Sequence, residues 1–133
     1  MSREYKIGQS FTFSRIISDD VVRSFAELTF DRNPIHVNES FAEESRFGAR
    51  IAHGFLVGSM ISKILGMDFP GPGTVYLSQS LNFRKPVYIG DFLSAVVMVK
   101  SFHEESRKLV LDCLIINQDK ETVLDGEAVV IAP

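Results

Sequence analysis

A chain of 133 residues is the size of one domain, and its 45% hydrophobic content excludes wholesale disorder. Fourteen Lys and Arg face 17 Asp and Glu, for a net charge of −3, and no basic stripe marks a nucleic-acid binder. The single cysteine, Cys113, excludes an internal disulfide, and an N-terminus of mixed charge carries no secretory leader. Both point to a cytoplasmic protein with a reduced thiol.

Residues 9–17 contain Phe11, Phe13 and Ile16 and predict a short strand. Ser18-Asp19-Asp20 supplies an N-cap and acidic residues for a helix start. Val21, Phe25 and Leu28 follow at i, i+4 and i+7, a single helical face. Thr29 and Phe30 end that helix. Pro34 disfavours helical geometry at Asn33, so residues 31–37 are expected to be a loop. Ser40-Phe-Ala-Glu43 has the form of a capping box and predicts a short second helix.

Residues 53–65 differ from all of these. Phe55, Leu56, Val57, Met60, Ile61, Ile64 and Leu65 cover most of a helical circumference, which predicts a helix buried on nearly all sides. The weakly charged run that holds it, 51–62, falls short of the ~20 residues a membrane span needs. Gly66 and Pro70-Gly-Pro-Gly73 stop the helix. Four strands are predicted after it, over 74–83, 92–101, 108–117 and 122–131. The first places Val75, Leu77, Leu81 and Phe83 on one face, and the third alternates Leu109, Leu111, Cys113 and Ile115 against its other residues. Short polar connectors favour antiparallel pairing. The expected fold is α+β, with an antiparallel sheet curled around one long apolar helix. An open sheet has edges, and pairing an edge with a second copy makes a homodimer plausible on physical grounds.

Two stretches carry residues suited to chemistry. Phe30-Asp-Arg-Asn-Pro-Ile-His36 sets a carboxylate and an imidazole five residues apart on a Pro-stiffened segment. Held near one water, such a pair moves protons in both directions. The same spacing also fits an Asx turn at Asp31 and a structural His36. Ile51-Ala-His-Gly-Phe55 puts Gly54 in the first turn of the apolar helix, where unpaired N–H groups suit a carbonyl oxygen gaining charge. A plain tight turn capped by His53 fits as well. The three histidines are too scattered for a metal site, Cys113 has no CxxC companion, and Ser59 and Ser62 lack a nucleophile-elbow context.

Three segments taken together resemble the MaoC-like dehydratase family, which has the hot-dog fold. They are Asp-Arg-Asn-Pro-Ile-His at 31–36, Phe-Gly-Ala-Arg-Ile-Ala-His-Gly at 47–54, and Leu-Asn-Phe-Arg-Lys-Pro-Val-Tyr-Ile-Gly-Asp at 81–91. The stretch at 71–83 is similar to short (R)-specific enoyl-CoA hydratases and mitochondrial-type 3-hydroxyacyl-thioester dehydratases. The resemblance implies a single hot-dog domain over 1–133, needing no metal and no cofactor beyond the CoA or acyl-carrier-protein thioester it acts on. Asp31 and His36 would activate a water that adds across a trans-2-enoyl thioester, giving the (3R)-3-hydroxyacyl product. The Gly54 N–H would polarise the thioester carbonyl. Asn33 would fix the loop, and Asn33 and His53 would be among the substrate-binding residues. Ser62 and Leu65 would shape the acyl pocket, and Arg84 and Lys85 would meet carrier phosphates. A homodimer with sites near the interface is also implied. Phe30 departs from the family, many of whose members carry a small or polar residue before the Asp; packing at the loop entrance is where it should be felt. Dehydration on acyl carrier protein is the close alternative. A hot-dog thioesterase is disfavoured because the helix offers Lys63 and no carboxylate before Asp68. A non-catalytic acyl-binding subunit is disfavoured by the intact Asp31/His36 pair.

Overall fold

A computed structural model describes residues 3–133. The elements run β1 (Ser10–Ile16), α1 (Asp19–Thr29), α2 (Pro34–Val37), α3 (Glu39–Glu43), α4 (Gly54–Lys63), β2 (Val75–Gln79), β3 (Asn82–Phe83), β4 (Phe92–His103), β5 (Lys108–Ile116) and β6 (Thr122–Ile131). The strands form one antiparallel sheet in the order β1-β4-β5-β6-β2, with β3 also paired to β6. Period-two burial on β4 (Leu93, Ala95, Val97, Val99) and β5 (Leu109, Leu111, Cys113, Ile115) makes one face of the sheet apolar. That face joins Leu56, Val57, Met60 and Ile61 of α4 in a single core. The expected α+β architecture, a sheet around one apolar helix, is what the chain adopts. Among the described residues no helix is long and apolar enough to cross a membrane.

Several local expectations are corrected. On α1 the buried stripe is rotated by one residue, to Val22 and Ala26. Val21 and Phe25 flank it, and Leu28, at the helix end, stays exposed. Segment 31–37 is not all loop, because Pro34 opens the one-turn α2 with Asn33 as its N-cap. Proline at the first helical position gives up only an N–H that has no partner there. The N-cap of α3 is Asn38, whose side chain accepts from the Phe41 N–H at 3.0 Å, so Ser40 does not start that helix.

The long helix also ends differently from expectation. α4 passes into a π-helical turn over Ile64–Asp68 that buries Ile64 and Leu65. One flank of α4 is open: Phe55 is 71% exposed, and Ser59 and Ser62 are exposed beside it. Strand 74–83 is broken in two, and its apolar residues Val75, Leu77 and Phe83 stand exposed on the β2 side of the sheet. The apolar surface predicted to be covered by the chain itself is therefore left uncovered in a single copy.

Candidate active site

The site begins where α1 stops. Thr29 Oγ1 donates to the Phe25 carbonyl at 2.7 Å and accepts from the Asp31 N–H at 3.2 Å. Between them Phe30 adopts left-handed backbone, φ 63°. A bulky residue there costs on the order of 1–3 kcal/mol, and such strain persists where the surroundings over-determine the turn. Its ring stays exposed, with the Arg32 guanidinium 5.4 Å from the ring centroid. The Asp31 Oδ1 accepts from the Asn33 N–H at 3.3 Å, an Asx turn, and the Asn33 Oδ1 accepts from the Ile35 N–H at 3.2 Å. Two short polar side chains in series thus steer the chain from α1 into α2, which carries His36.

His36 is buried, and its Nδ1 lies 2.7 Å from the Ile51 carbonyl oxygen. A carbonyl only accepts, so Nδ1 carries the proton and Nε2 is left with the free lone pair. Burial pushes the imidazole below the ordinary 6.5; the Ile51 bond and Asp31 oppose this, while His53 and Arg50 reinforce it. The ring is accordingly held neutral, ready to take a proton.

His53, the N-cap of α4, is buried under this arrangement. Its Nε2 donates to the Asp31 backbone carbonyl at 2.9 Å. Its ring stacks on His36 with centroids 3.8 Å apart, and Phe25 packs on it at 4.9 Å. His53 does not line the cleft described below; it supports the peptide of one member of the pair and the ring of the other. Ring nitrogens of His36 and His53 and a carboxylate oxygen of Asp31 fall within 4.8 Å of one another. The rings are stacked 26° from parallel, and one nitrogen of each is committed to a carbonyl. The expectation that the histidines are too scattered to meet is thus corrected for His36 and His53, which the fold brings together although they are 17 positions apart in the sequence.

A cleft of about 570 Å³ opens onto His36 and Gly54 together, walled by Phe47, Val57 and Phe83. Gly54 occupies the first helical position of α4, where the N–H has no intrahelical acceptor. A Cβ there would meet the Phe83 ring at 2.6 Å, so the missing side chain is needed for Phe83 to pack, a reason the sequence did not disclose. Arg84 and Lys85 line the same cleft, but neither is free. Arg84 makes two bonds to the Asp125 carboxylate, at 3.0 and 3.1 Å, and Lys85 pairs with Glu121. Arg46, which sequence reasoning passed over, lines the cleft too and makes no ion pair among the described residues; its guanidinium lies 5.0 Å from the Phe47 ring centroid. Ser62 lies elsewhere, in a shallower groove of about 330 Å³ with Phe55, Tyr76 and Leu77. Leu65 is fully packed into the core. Within one copy, then, the fold gathers Asp31, Asn33, His36, His53 and Gly54 and leaves Ser62 and Leu65 apart. Cys113 is buried, which pushes its thiol up to about 11 and makes it inert.

A neutral imidazole beside a carboxylate, next to a helix N-terminus in a largely apolar cleft, is a site for acid–base chemistry on a carbonyl compound. The sequence matches the model of the MaoC like domain over residues 3–112, and the chain belongs to that family. It is 47% identical over 130 residues to the 3-hydroxybutyryl-CoA dehydratase of Methylorubrum extorquens, covering 98% of this chain and 82% of that protein. It is 36% identical over 132 residues to the (R)-specific enoyl-CoA hydratase of Aeromonas caviae, covering 99% and 98%. A mitochondrial 3-hydroxyacyl-[acyl-carrier-protein] dehydratase of Arabidopsis thaliana shares 37% over 131 residues, covering 96% and 78%. The solved structure of an (R)-hydratase from A. caviae superposes with a TM-score of 0.95 at 36% identity, covering 99% of this chain and all of that one.

Proposed function

We propose that the protein is an (R)-specific enoyl-CoA hydratase, adding water reversibly to a trans-2-enoyl-CoA to give the (3R)-3-hydroxyacyl-CoA. The observation that carries this reading is the placement of the neutral His36, with Nε2 free, beside Asp31 and on the same cleft as Gly54. In this mechanism the Gly54 N–H binds the thioester oxygen and stabilises the enolate-like charge that appears when C3 is attacked. Asp31 accepts a hydrogen bond from one O–H of the water, which stays intact and becomes the 3-hydroxyl, and His36 Nε2 takes the other proton as the oxygen bonds to C3. The proton passes on to C2, so the pair returns to its starting state and the net change is addition of H and OH. Asn33 and His53 hold the segment that presents the pair. No metal or redox group enters these steps.

A second copy completes the assembly in this reading, seated on the exposed Phe55, Val75, Leu77 and Phe83 and on the unpaired edge of β2. The Ser62 groove lies on that side, so Ser62 would join a site only through the partner. The Arabidopsis relative favours a second reading, the same chemistry run as dehydration on acyl carrier protein. Initial rates on matched CoA and carrier-protein thioesters separate the two.

The central test is hydration of crotonyl-CoA with chiral analysis of the product. Asp31→Asn and His36→Ala are each expected to lower kcat by about 10²–10⁴-fold while the protein stays folded. Near-normal turnover in both variants, or an (S) product, overturns the reading. The pH profile gives a further check. Because His36 must be neutral to act, kcat/KM falls on acidification, with a limb below the 6.5 of an ordinary imidazole. The same depression makes the unfolded chain the better proton acceptor. The stability contributed by the neutral His36 is complete above 6.5 and is lost as pH falls from there through the folded value.

A further inference from the structure

His36 is gripped by two consecutive residues from the far side of the site. The Ile51 carbonyl takes the His36 Nδ1–H at 2.7 Å, and the Ile51 N–H donates to the Ile35 carbonyl at 3.3 Å. The Arg50 Nε–H donates to the carbonyl of His36 itself at 2.6 Å. The gripping segment is itself fixed to the chain near β4, since Ala52 N–H donates to the Val87 carbonyl at 2.7 Å and Ile51 bridges to Tyr88. The Ile51 bonds use only its backbone. The bond from Arg50 depends on the identity of a side chain.

Arg50 is only 6% exposed; its Nε makes the hydrogen bond to His36, and its two terminal nitrogens make ion-pair contacts, Nη2 without a well-aligned hydrogen bond. Nη2 lies 2.7 Å from Asp19 Oδ1 in the first turn of α1, and Nη1 lies 3.7 Å from Glu39 Oε1 in the first turn of α3. One guanidinium thus touches α1, α2 and α3. The need for such a device is plain from α2, which has four residues and cannot hold its own geometry. A planar fork with donors in several fixed directions suits the task, and an ammonium on a flexible stem does not.

We propose that Arg50 is a positioning residue for the reaction: by binding the His36 carbonyl and the Asp19 and Glu39 carboxylates together, it sets α2 between α1 and α3 and so aims the His36 Nε2 lone pair. The proposal rests on the reading of His36 as the proton acceptor. The charged and titratable groups around the two residues are Asp31 and His53 at His36, with Arg46, Arg84 and Lys85 along the same cleft, and Asp19, Glu39, Glu43 and Tyr88 at Arg50, Asp19 being shared with Arg23.

The test uses Arg50→Lys, Arg50→Gln and Asp19→Asn, with kcat and KM on crotonyl-CoA across pH and a thermal melt of each variant. Arg50→Lys keeps the charge and loses the fork. Its kcat is expected to fall about tenfold or more with KM nearly unchanged, since small misplacements of a reacting group carry losses of up to about 10²-fold. Its acidic limb stays where the wild-type limb lies. Arg50→Gln loses the charge as well, so its limb moves to higher pH in addition to the loss of kcat. Asp19 is half exposed, so Asp19→Asn is expected to fold and to show the same loss in kcat alone, smaller in size. A folded Arg50→Lys with wild-type kcat, or a loss confined to KM, overturns the proposal. If the Arg50 variants do not fold, an unchanged kcat in Asp19→Asn overturns it. Failure of the hydratase reading shows separately, in wild-type protein that does not hydrate crotonyl-CoA or in a fully active His36→Ala.

Discussion

Each buried imidazole of the site has its proton assigned by a carbonyl. Ile51 holds the proton on Nδ1 of His36, and Asp31 holds it on Nε2 of His53. Two residues of the same type, stacked at 3.8 Å, thereby take different tasks: one presents a free nitrogen beside the carboxylate, and the other supports the peptide that carries that carboxylate. The Asp31 and His36 side chains were legible as a candidate pair from their spacing. The support role of His53 was not, because a ring that stacks and a ring that touches a ligand look the same in a sequence. The cations show the same limit. Arg84 and Lys85 were expected to meet carrier phosphates, and each is paired with a carboxylate more than 30 residues away in the chain. Among the described residues Arg46 is the cleft cation without such a partner, and on the proposed hydratase reading it is the one open to a carrier phosphate. Arg46→Gln is expected to raise KM for crotonyl-CoA several-fold with kcat retained. It should leave hydration of the N-acetylcysteamine thioester, which has no phosphate, unchanged. Steady-state kinetics on both substrates checks this, and equal effects on the two would remove Arg46 from carrier binding.

Among the elements, α2 is the one whose existence depends on capping. Four residues form one turn, started by the Asn33 side chain and by Pro34 at the first helical position. Asn33→Ala removes the cap and is expected to cost about 0.5–2 kcal/mol, read by urea denaturation. It should also lower kcat, because the turn that loosens is the one bearing His36. Unchanged stability and unchanged kcat together would show that Asp31 and Pro34 suffice to shape the turn. The rule that a residue before proline avoids helical geometry was sound for Asn33, whose ψ is 126°. Extending a loop to residue 37 was the error, since proline also opens helices. The α3 boundary was missed for a related reason. Asn38 and Ser40 are both good caps, and only the path of the backbone decides which side chain meets a free N–H. Strand β5 was read almost to the residue, because period-two alternation on a sheet with one buried face is unambiguous, and β6 was placed as well although its burial is less regular, with adjacent Val123 and Leu124 both buried.

For the whole molecule, the decisive surface is the one that α4 and β2 leave open. Phe55, Val75, Leu77 and Phe83 are all more than half exposed, beside a strand edge with unpaired backbone groups. An exposed apolar edge of this kind is a pairing site unless something covers it. Wild-type protein is expected to sediment as a dimer, and Leu77→Asp to sediment as a monomer, by sedimentation velocity. A wild-type monomer at micromolar concentration would refute the assignment of this face to a second copy. If a second copy covers it, the same face accounts for a sequence pattern of α4 that promised burial on nearly all sides while one copy buries only part of it. Hydropathy records which residues avoid water in the finished assembly and does not say whose atoms cover them.

The sequence alone determined the fold class, the antiparallel order of events after residue 73, and the residue types of the reacting centre. The fold class follows from local periodicity, which a chain carries whatever its neighbours are; the spacing of Asp31 and His36 offered a pair, and the resemblance to the MaoC-like family gave it a role. Tertiary structure decided the rest. It set which nitrogen of His36 is free, tied Arg84 and Lys85 to Asp125 and Glu121, brought Arg50 behind His36, laid Phe83 over Gly54, and left Leu65 in the core. Each of these is a contact between residues distant in the chain, and its geometry depends on how helices and sheet pack, a quantity no local pattern encodes.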